Sequence, residues 1–118
     1  MLKIYHNTRC GKSRCALQIL EKSGQALEVV EYLKNPPTAS ELREILALLG
    51  KKPLDLIRQK EPVFQENYKG QDHSDEAWIK IMVAHPILIE RPIVVLDHKA
   101  WVAREERSLE EIAAAIGA

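Results

Sequence analysis

The stretch Leu2-Lys3-Ile4-Tyr5-His6-Asn7-Thr8-Arg9-Cys10-Gly11-Lys12-Ser13 decides how the chain begins to fold. Residues 2–6 alternate in the manner of a short strand. Asn7, Thr8 and Arg9 are polar and turn the chain. From Lys12 onward Cys15, Ala16, Ile19 and Leu20 recur at helical spacing, which predicts a helix with Cys15 facing its core. Gly24 closes that helix, because glycine enters the left-handed region at little cost. Leu27 to Leu33 is rich in Val and Leu and predicts a second strand. Strand, helix, strand packs as a parallel βαβ unit with a right-handed crossover.

Asn35-Pro36-Pro37 then interrupts the chain. Thr38 with Glu41 has the spacing of a capping box, ahead of a helix carrying Leu42, Ile45, Leu46 and Leu49 and ending at Gly50. Pro53 starts a short helix through Arg58. Residues 61–73 are polar and weakly patterned. Ser74-Asp75 restarts a helix with Ala77, Trp78, Ile81 and Met82 on one face, stopped before Pro86. The β-branched run Ile93-Val94-Val95-Leu96 predicts a buried strand. Asp97-His98 turns it into Lys99–Ala103. Ser108 with Glu111 predicts the capped start of a last helix. The order is β-α-β, a helical insertion, then β-β-α. The expected fold is α/β and thioredoxin-like, with a four-stranded mixed sheet. It forms one domain over 1–118, with its core in 1–35 and 87–118 and an inserted subdomain at 36–86.

The chain has 118 residues, enough for a core without disulfide staples, and its 17 basic residues balance 17 acidic ones. That neutrality argues against a nucleic-acid-binding domain, which needs a basic excess. No apolar run approaches the roughly 18 residues of a membrane span. The first residues lack the layout of a secretion signal, so a cytoplasmic location is expected. Two cysteines, Cys10 and Cys15, make neither a disulfide framework nor a four-ligand zinc site. No His/Cys/Asp/Glu spacing predicts a metal site. His73 and His98 read as solvated loop residues, and His85 as a helix-end residue.

Cys10 stands between a strand and a helix start. An ordinary thiol, with a pKa of about 8.5, is only slightly ionised at neutral pH. Making it mostly thiolate takes about 2.7 kcal/mol. A helix dipole supplies about 0.3–1 kcal/mol, so a cation or a hydrogen-bond donor must supply the rest. His6, Arg9, Lys12 and Arg14 are sequence neighbours, and the Ser13 hydroxyl is a candidate donor. Cys10-Gly11-Lys12-Ser13 is not a CxxC dithiol, and Ala16 stands where a phosphatase-type loop requires arginine.

Ile4-Tyr5-His6-Asn7-Thr8-Arg9-Cys10-Gly11-Lys12-Ser13-Arg14 resembles the opening motif of the ArsC family, the glutaredoxin-coupled arsenate reductases. Glu90-Arg91-Pro92-Ile93-Val94-Val95 resembles its second hallmark, and Leu56-Ile57-Arg58-Gln59-Lys60-Glu61 a weaker third block. The resemblance covers essentially the whole chain. It implies that Cys10 is the nucleophile and that His6 helps to depress its pKa. It further implies that Arg58, Arg91 and Arg104 bind the oxyanion, and that Pro92 is a cis-proline facing the cysteine. Arginine suits that task, because its planar donors stay charged at every working pH. The implied reaction needs no bound cofactor: Cys10 attacks arsenate, glutathione serves as external reductant, and glutaredoxin resolves the mixed disulfide. A monomer is expected.

The chain departs from the family pattern in places. Thr8 stands where proline is commoner, Lys12 where threonine is typical, and Glu105-Glu106 follow Arg104 where proline is usual. Two acids there weaken anion binding if they point inward. These departures keep open a family thiol reductase with a substrate other than arsenate. The same fold also includes Spx-like redox regulators that bind RNA polymerase. They usually carry CxxC, and here Cys10 and Cys15 would have to form the alternative pair.

Overall fold

The computed structural model describes residues 2–104 and 106–117. Strand β1 (Leu2–His6) is central. It pairs in parallel with β2 (Leu27–Glu31), and antiparallel with β3 (Ile93–Leu96). β3 in turn pairs antiparallel with β4 (Lys99–Val102), so the sheet order is β2-β1-β3-β4. With helices α1 (Gly11–Lys22) and α5 (Glu106–Ile116), this is a thioredoxin-like α/β arrangement with a mixed sheet. β2 stops at Glu31, short of Leu33, because the amides of Lys34 and Asn35 both turn back onto the Glu31 carbonyl, at 3.0 and 2.9 Å.

These elements form the first of two compact units, Met1–Asn35 with Arg91–Ala118. Alternation along β1 sends Leu2 and Ile4 to one face, where they meet Ala16 and Leu20 of α1 and Ile112 and Ile116 of α5. Val94 and Ala103 complete this core. The buried stripe of α1 is Ser13, Ala16 and Leu20. Cys15 therefore does not face the core; it is exposed, one position out of phase with Ala16. The phase is shifted because Ser13 turns inward at the first turn. α5 also starts earlier than Ser108. Ser108 is the third residue of the helix and not its cap, while Glu111 pairs with Arg107 at 3.3 Å and accepts from Trp101 Nε1 at 3.2 Å.

The second unit is Pro36–Glu90. It continues past Pro86 because Ile89 bridges Ile57 and the Glu90 amide donates to Leu56 O at 2.9 Å. Helix α2 (Ala39–Leu49) opens with the capping box: Thr38 Oγ1 accepts from the Glu41 amide at 3.1 Å, and Glu41 Oε1 accepts from the Thr38 amide at 3.0 Å. It ends at Gly50, whose φ of 66° is left-handed and suits a residue without Cβ. Residues 61–73 contain a helix that their polarity hides, α3 (Pro62–Asn67), started by proline at its first position. Phe64 of α3 stacks on Trp78 of α4 (Asp75–Ala84), with ring centroids 6.0 Å apart. His73 is half-buried rather than solvated, edge-on to Trp78 at 4.7 Å. His85 ends α4 and His98 is exposed in the hairpin turn. Among the described residues no helix is long and apolar enough to cross a membrane.

Leu20 is fully buried between α1 and the sheet. Leu20→Ala is expected to lower unfolding free energy by about 2–5 kcal/mol, the range for cavity-creating leucine truncations. Thr38→Ala is expected to cost about 1 kcal/mol through loss of the cap. Urea titrations followed by circular dichroism measure both; equal losses would contradict this division between core and cap.

Candidate functional site

Strand register brings three chain segments to one end of the sheet. Tyr5 pairs with Ile93 across the antiparallel β1–β3 ladder, so the chain leaving β1 passes the residues that enter β3. His6 pairs with Glu31 in the parallel β1–β2 ladder, so Tyr32 emerges at that same end. Residues 7–10, Arg91-Pro92 and Tyr32 are thereby neighbours although far apart in sequence.

The loop after β1 is held by its own backbone. Asn7 is buried; its Oδ1 accepts from the Arg9 amide at 2.9 Å and its carbonyl from the Cys10 amide at 3.1 Å. Arg14 Nη1 donates to the Thr8 carbonyl at 3.0 Å and closes the loop over the first helical turn. Cys10 is the N-cap of α1, with extended backbone (φ −98°, ψ 121°). Its carbonyl accepts the first helical bond, from the Arg14 amide at 3.0 Å. The next amides, as at any helix start, have no partner within the helix. Those of Lys12 and Ser13 face the Cys10 sulfur, without the geometry of an ordinary capping hydrogen bond.

Ser13 and His6 are both buried and lie 2.6 Å apart, Oγ to Nδ1. The Asn7 amide donates to the same Oγ at 3.0 Å. Burial, opposed by Glu31 and reinforced by Arg14, holds His6 below the ordinary imidazole value of 6.5. The Ser13 Oγ is thus engaged by His6 and by the Asn7 amide. The sequence points to the Ser13 hydroxyl as a donor to the thiol; in the structure the thiol is met instead by the Ser13 backbone amide. His6, its pKa lowered by burial, meets the site through Ser13.

Cys10 is half-buried. Burial pushes its thiol up, but the Ser13 amide, the Arg91 guanidinium and the Lys12 amide together bring it below the ordinary thiol value. Burial also works against the Arg91 charge, and the Cys10 sulfur with the Tyr32 phenol more than restores it. Nε and Nη1 of Arg91 are sealed from solvent and have no acceptor. The arrangement combines a nucleophile with spare N–H groups beside it. It is suited to attack on an electrophile that itself carries negative charge.

The other expected site residues are placed as follows. Arg91–Pro92 is a cis peptide, and the Pro92 carbonyl accepts from the Ala103 amide at 2.8 Å. Arg104 Nη1 donates to the Arg91 carbonyl at 2.9 Å. Glu106 is exposed at the start of α5, and Glu105 lies outside the described residues. Arg58 belongs to the second unit, where its side chain pairs closely with Glu61 and its amide donates to Leu88 O at 2.7 Å. Its charge is locally compensated, whereas Arg91 has no carboxylate partner among the described residues. No group of three or more His, Cys, Asp or Glu among the described residues is arranged to hold a metal ion. Three contributors escape a reading by residue type alone: Asn7, Tyr32 and Glu61. Tyr32 leaves one trace, an aromatic directly after a strand, and only the register shows what it meets.

Residues 5–112 match the model of the ArsC family. The uncharacterized protein YfgD of Escherichia coli K12 is 45% identical over 113 residues, covering 94% of this chain and 95% of its own. An arsenate reductase of Neisseria meningitidis serogroup A is 40% identical, covering 94% of this chain and 97% of its own. The solved structure of an arsenate reductase from Vibrio cholerae superimposes with a TM-score of 0.82 at 38% identity, over 96% of this chain and 95% of that one.

The geometry makes the thiol titration a direct readout. In a Cys15→Ser background, alkylation of Cys10 by iodoacetamide is expected to rise with a midpoint below that of a free cysteine. Arg91→Ala is expected to raise the midpoint by about 1 pH unit, a typical effect of removing a neighbouring cation. An unchanged midpoint would contradict the contact. His6 gives a second expectation. Its folded-state pKa lies below 6.5, so below that value the unfolded chain takes up the proton first and stability falls with falling pH. Between pH 7.5 and 5.5 the loss in urea stability is expected to be smaller in His6→Gln than in the parent chain.

Proposed function

The chain belongs to the ArsC family, and on that premise we propose that it is an arsenate reductase in which Cys10 carries the chemistry. The Cys10 thiolate attacks arsenic, and one arsenate oxygen leaves as water after protonation. A sulfur–arsenic(V) adduct results. A glutathione thiolate then attacks the Cys10 sulfur. The sulfur–arsenic bond breaks, its electron pair reduces arsenic(V) to arsenic(III), and a Cys10–glutathione disulfide forms. Glutaredoxin removes that glutathione and returns the free thiol. No bound cofactor enters this scheme. Two external thiols supply the two electrons, which fits a monomer working in the cytosol.

The single observation that carries the reading is the Cys10–Arg91 contact. Arg91 favours the thiolate before reaction, and in the proposal its positive charge beside the sulfur attracts the arsenate oxyanion. In the proposal Arg104 adds to that charge, whereas an anion binding Arg58 within the second unit would compete with Glu61. His6 and Ser13 hold the first turn of α1 in place, and cis-Pro92 sets the entry of β3 beside the cysteine. The Spx-like alternative requires a Cys10–Cys15 disulfide. Five helical residues separate their Cα atoms by more than about 7 Å, beyond the usual disulfide range.

Arsenite formation with glutathione, glutaredoxin and an NADPH-coupled readout tests the proposal. Cys10→Ser is expected to abolish activity, and Cys15→Ser to retain most of it. Full activity in Cys10→Ser would end the assignment. Turnover of another oxyanion with none of arsenate would keep the thiol chemistry and replace the substrate.

A further inference from the structure

Arg14 crosses the loop that carries the nucleophile. Its Nη1 donates to the Thr8 carbonyl at 3.0 Å, and its Nη2 lies 3.7 Å from the point that a Cβ on Gly11 would occupy. Thr8 and Gly11 stand on either side of Cys10 in the chain, so the guanidinium is pinned across the stretch that contains the sulfur. One N–H is used in that contact, and the other donors of the fork remain. Arg14 has no carboxylate partner among the described residues, and neither have Arg9 and Lys12. All three side chains are exposed. Residues 1–20 hold four Lys and Arg and no Asp or Glu, although the whole chain is neutral. Whatever approaches the half-buried Cys10 from solvent therefore meets fixed positive charge first.

We propose that Arg14 is a specificity-determining residue, whose guanidinium, held beside Cys10 by the Thr8 carbonyl, receives a carboxylate of the thiol that reduces the enzyme. This deepens the reading of Cys10 as a nucleophile resolved by an external thiol, and rests on it. In that scheme the Arg91 charge is engaged by the arsenic-bearing group on Cys10 when the second thiol arrives, so an incoming carboxylate needs another cation. Glutathione fits, because it carries more carboxylates than ammonium groups and reacts as a thiolate. Arg14 is already fixed at one N–H, so less side-chain freedom is lost when its remaining donors take a carboxylate. Arg9 and Lys12 add a field that favours anionic over neutral thiols without fixing their pose. The exposed position sets the scale: a preference of severalfold, screened by salt.

The test is thiol–disulfide exchange at Cys10 in a Cys15→Ser background. The Cys10 thiolate attacks one sulfur of a symmetric disulfide, the sulfur–sulfur bond breaks, a Cys10 mixed disulfide forms, and the other half leaves as a thiolate. Rates are followed by mass spectrometry with glutathione disulfide, which is anionic, and with 2-hydroxyethyl disulfide, which is neutral. Arg14→Gln is expected to lower the first rate about threefold more than the second, the scale of one exposed ion pair. A change in thiol ionisation or loop shape alters both rates alike and leaves their ratio unmoved. Lys22→Gln removes the same charge in the last turn of α1 and is expected to leave the ratio as in the parent chain. An unchanged ratio in Arg14→Gln, or an equal fall in Lys22→Gln, overturns the proposal. Salt at about 1 M is expected to remove most of the difference between Arg14→Gln and the parent chain, and a difference that survives it also overturns the proposal. No exchange with either disulfide in the parent chain overturns the Cys10 reading together with this one, and is told apart from loss of the ratio alone. None of these measurements uses arsenate, so failure of the arsenate assignment is distinguishable as well.

Discussion

A thiol drawn partly out of water loses its charge unless something replaces the solvent, and the whole site answers that constraint. The helix start supplies amides but too little energy by itself. The missing charge comes from Arg91, 81 positions further along the chain than Cys10. Only the antiparallel pairing of β1 with β3 brings the two together. Each supporting feature serves that meeting. Leu2, Ile4 and Val94 anchor the two strands in one core, and Arg104 holds the Arg91 carbonyl. Asn7 shapes the loop that delivers the cysteine.

Net charge conceals how the cations are used. The chain balances 17 basic against 17 acidic residues, and exposed ion pairs such as Arg43–Glu76 and Arg107–Glu111 contribute little. Arg58 is matched within its own unit by Glu61. Arg91 instead faces a sulfur and a phenol, and has N–H groups left over. A neutral protein thus keeps a basic spot beside Cys10, where charge is left by the lack of a carboxylate among the described residues. Such a spot attracts a small anion without the broad basic surface that attracts nucleic acid.

Elements with strong local signals were legible. The alternation of β1, the capping boxlike Thr38–Glu41 pair and the β-branched run of β3 all depend on contacts a few residues apart. Three expectations failed for one reason, the influence of tertiary packing on a weak local signal. Cys15 and Ala16 are equally apolar to a periodicity argument, and the inward turn of Ser13 toward His6 selects the phase that exposes Cys15. Ser108–Glu111 has cap spacing, yet α5 begins two residues earlier and Glu111 serves Arg107 and Trp101. Residues 62–67 look polar, and Phe64 makes them a helix only because Trp78 is there to receive it.

By itself the sequence determined the order of elements, the thioredoxin-like topology and the cysteine that stands at a helix start. All three follow from local patterning and from the chirality of the βαβ crossover. Tertiary structure alone decided the state of the site. It set the Ser13 hydroxyl against His6, lowered the His6 pKa by burial, and brought Arg91 to Cys10. The physical reason is that charge and hydrogen bonding depend on distance and solvent exclusion, and a side chain's neighbours in a sheet are chosen by register and not by adjacency in the chain.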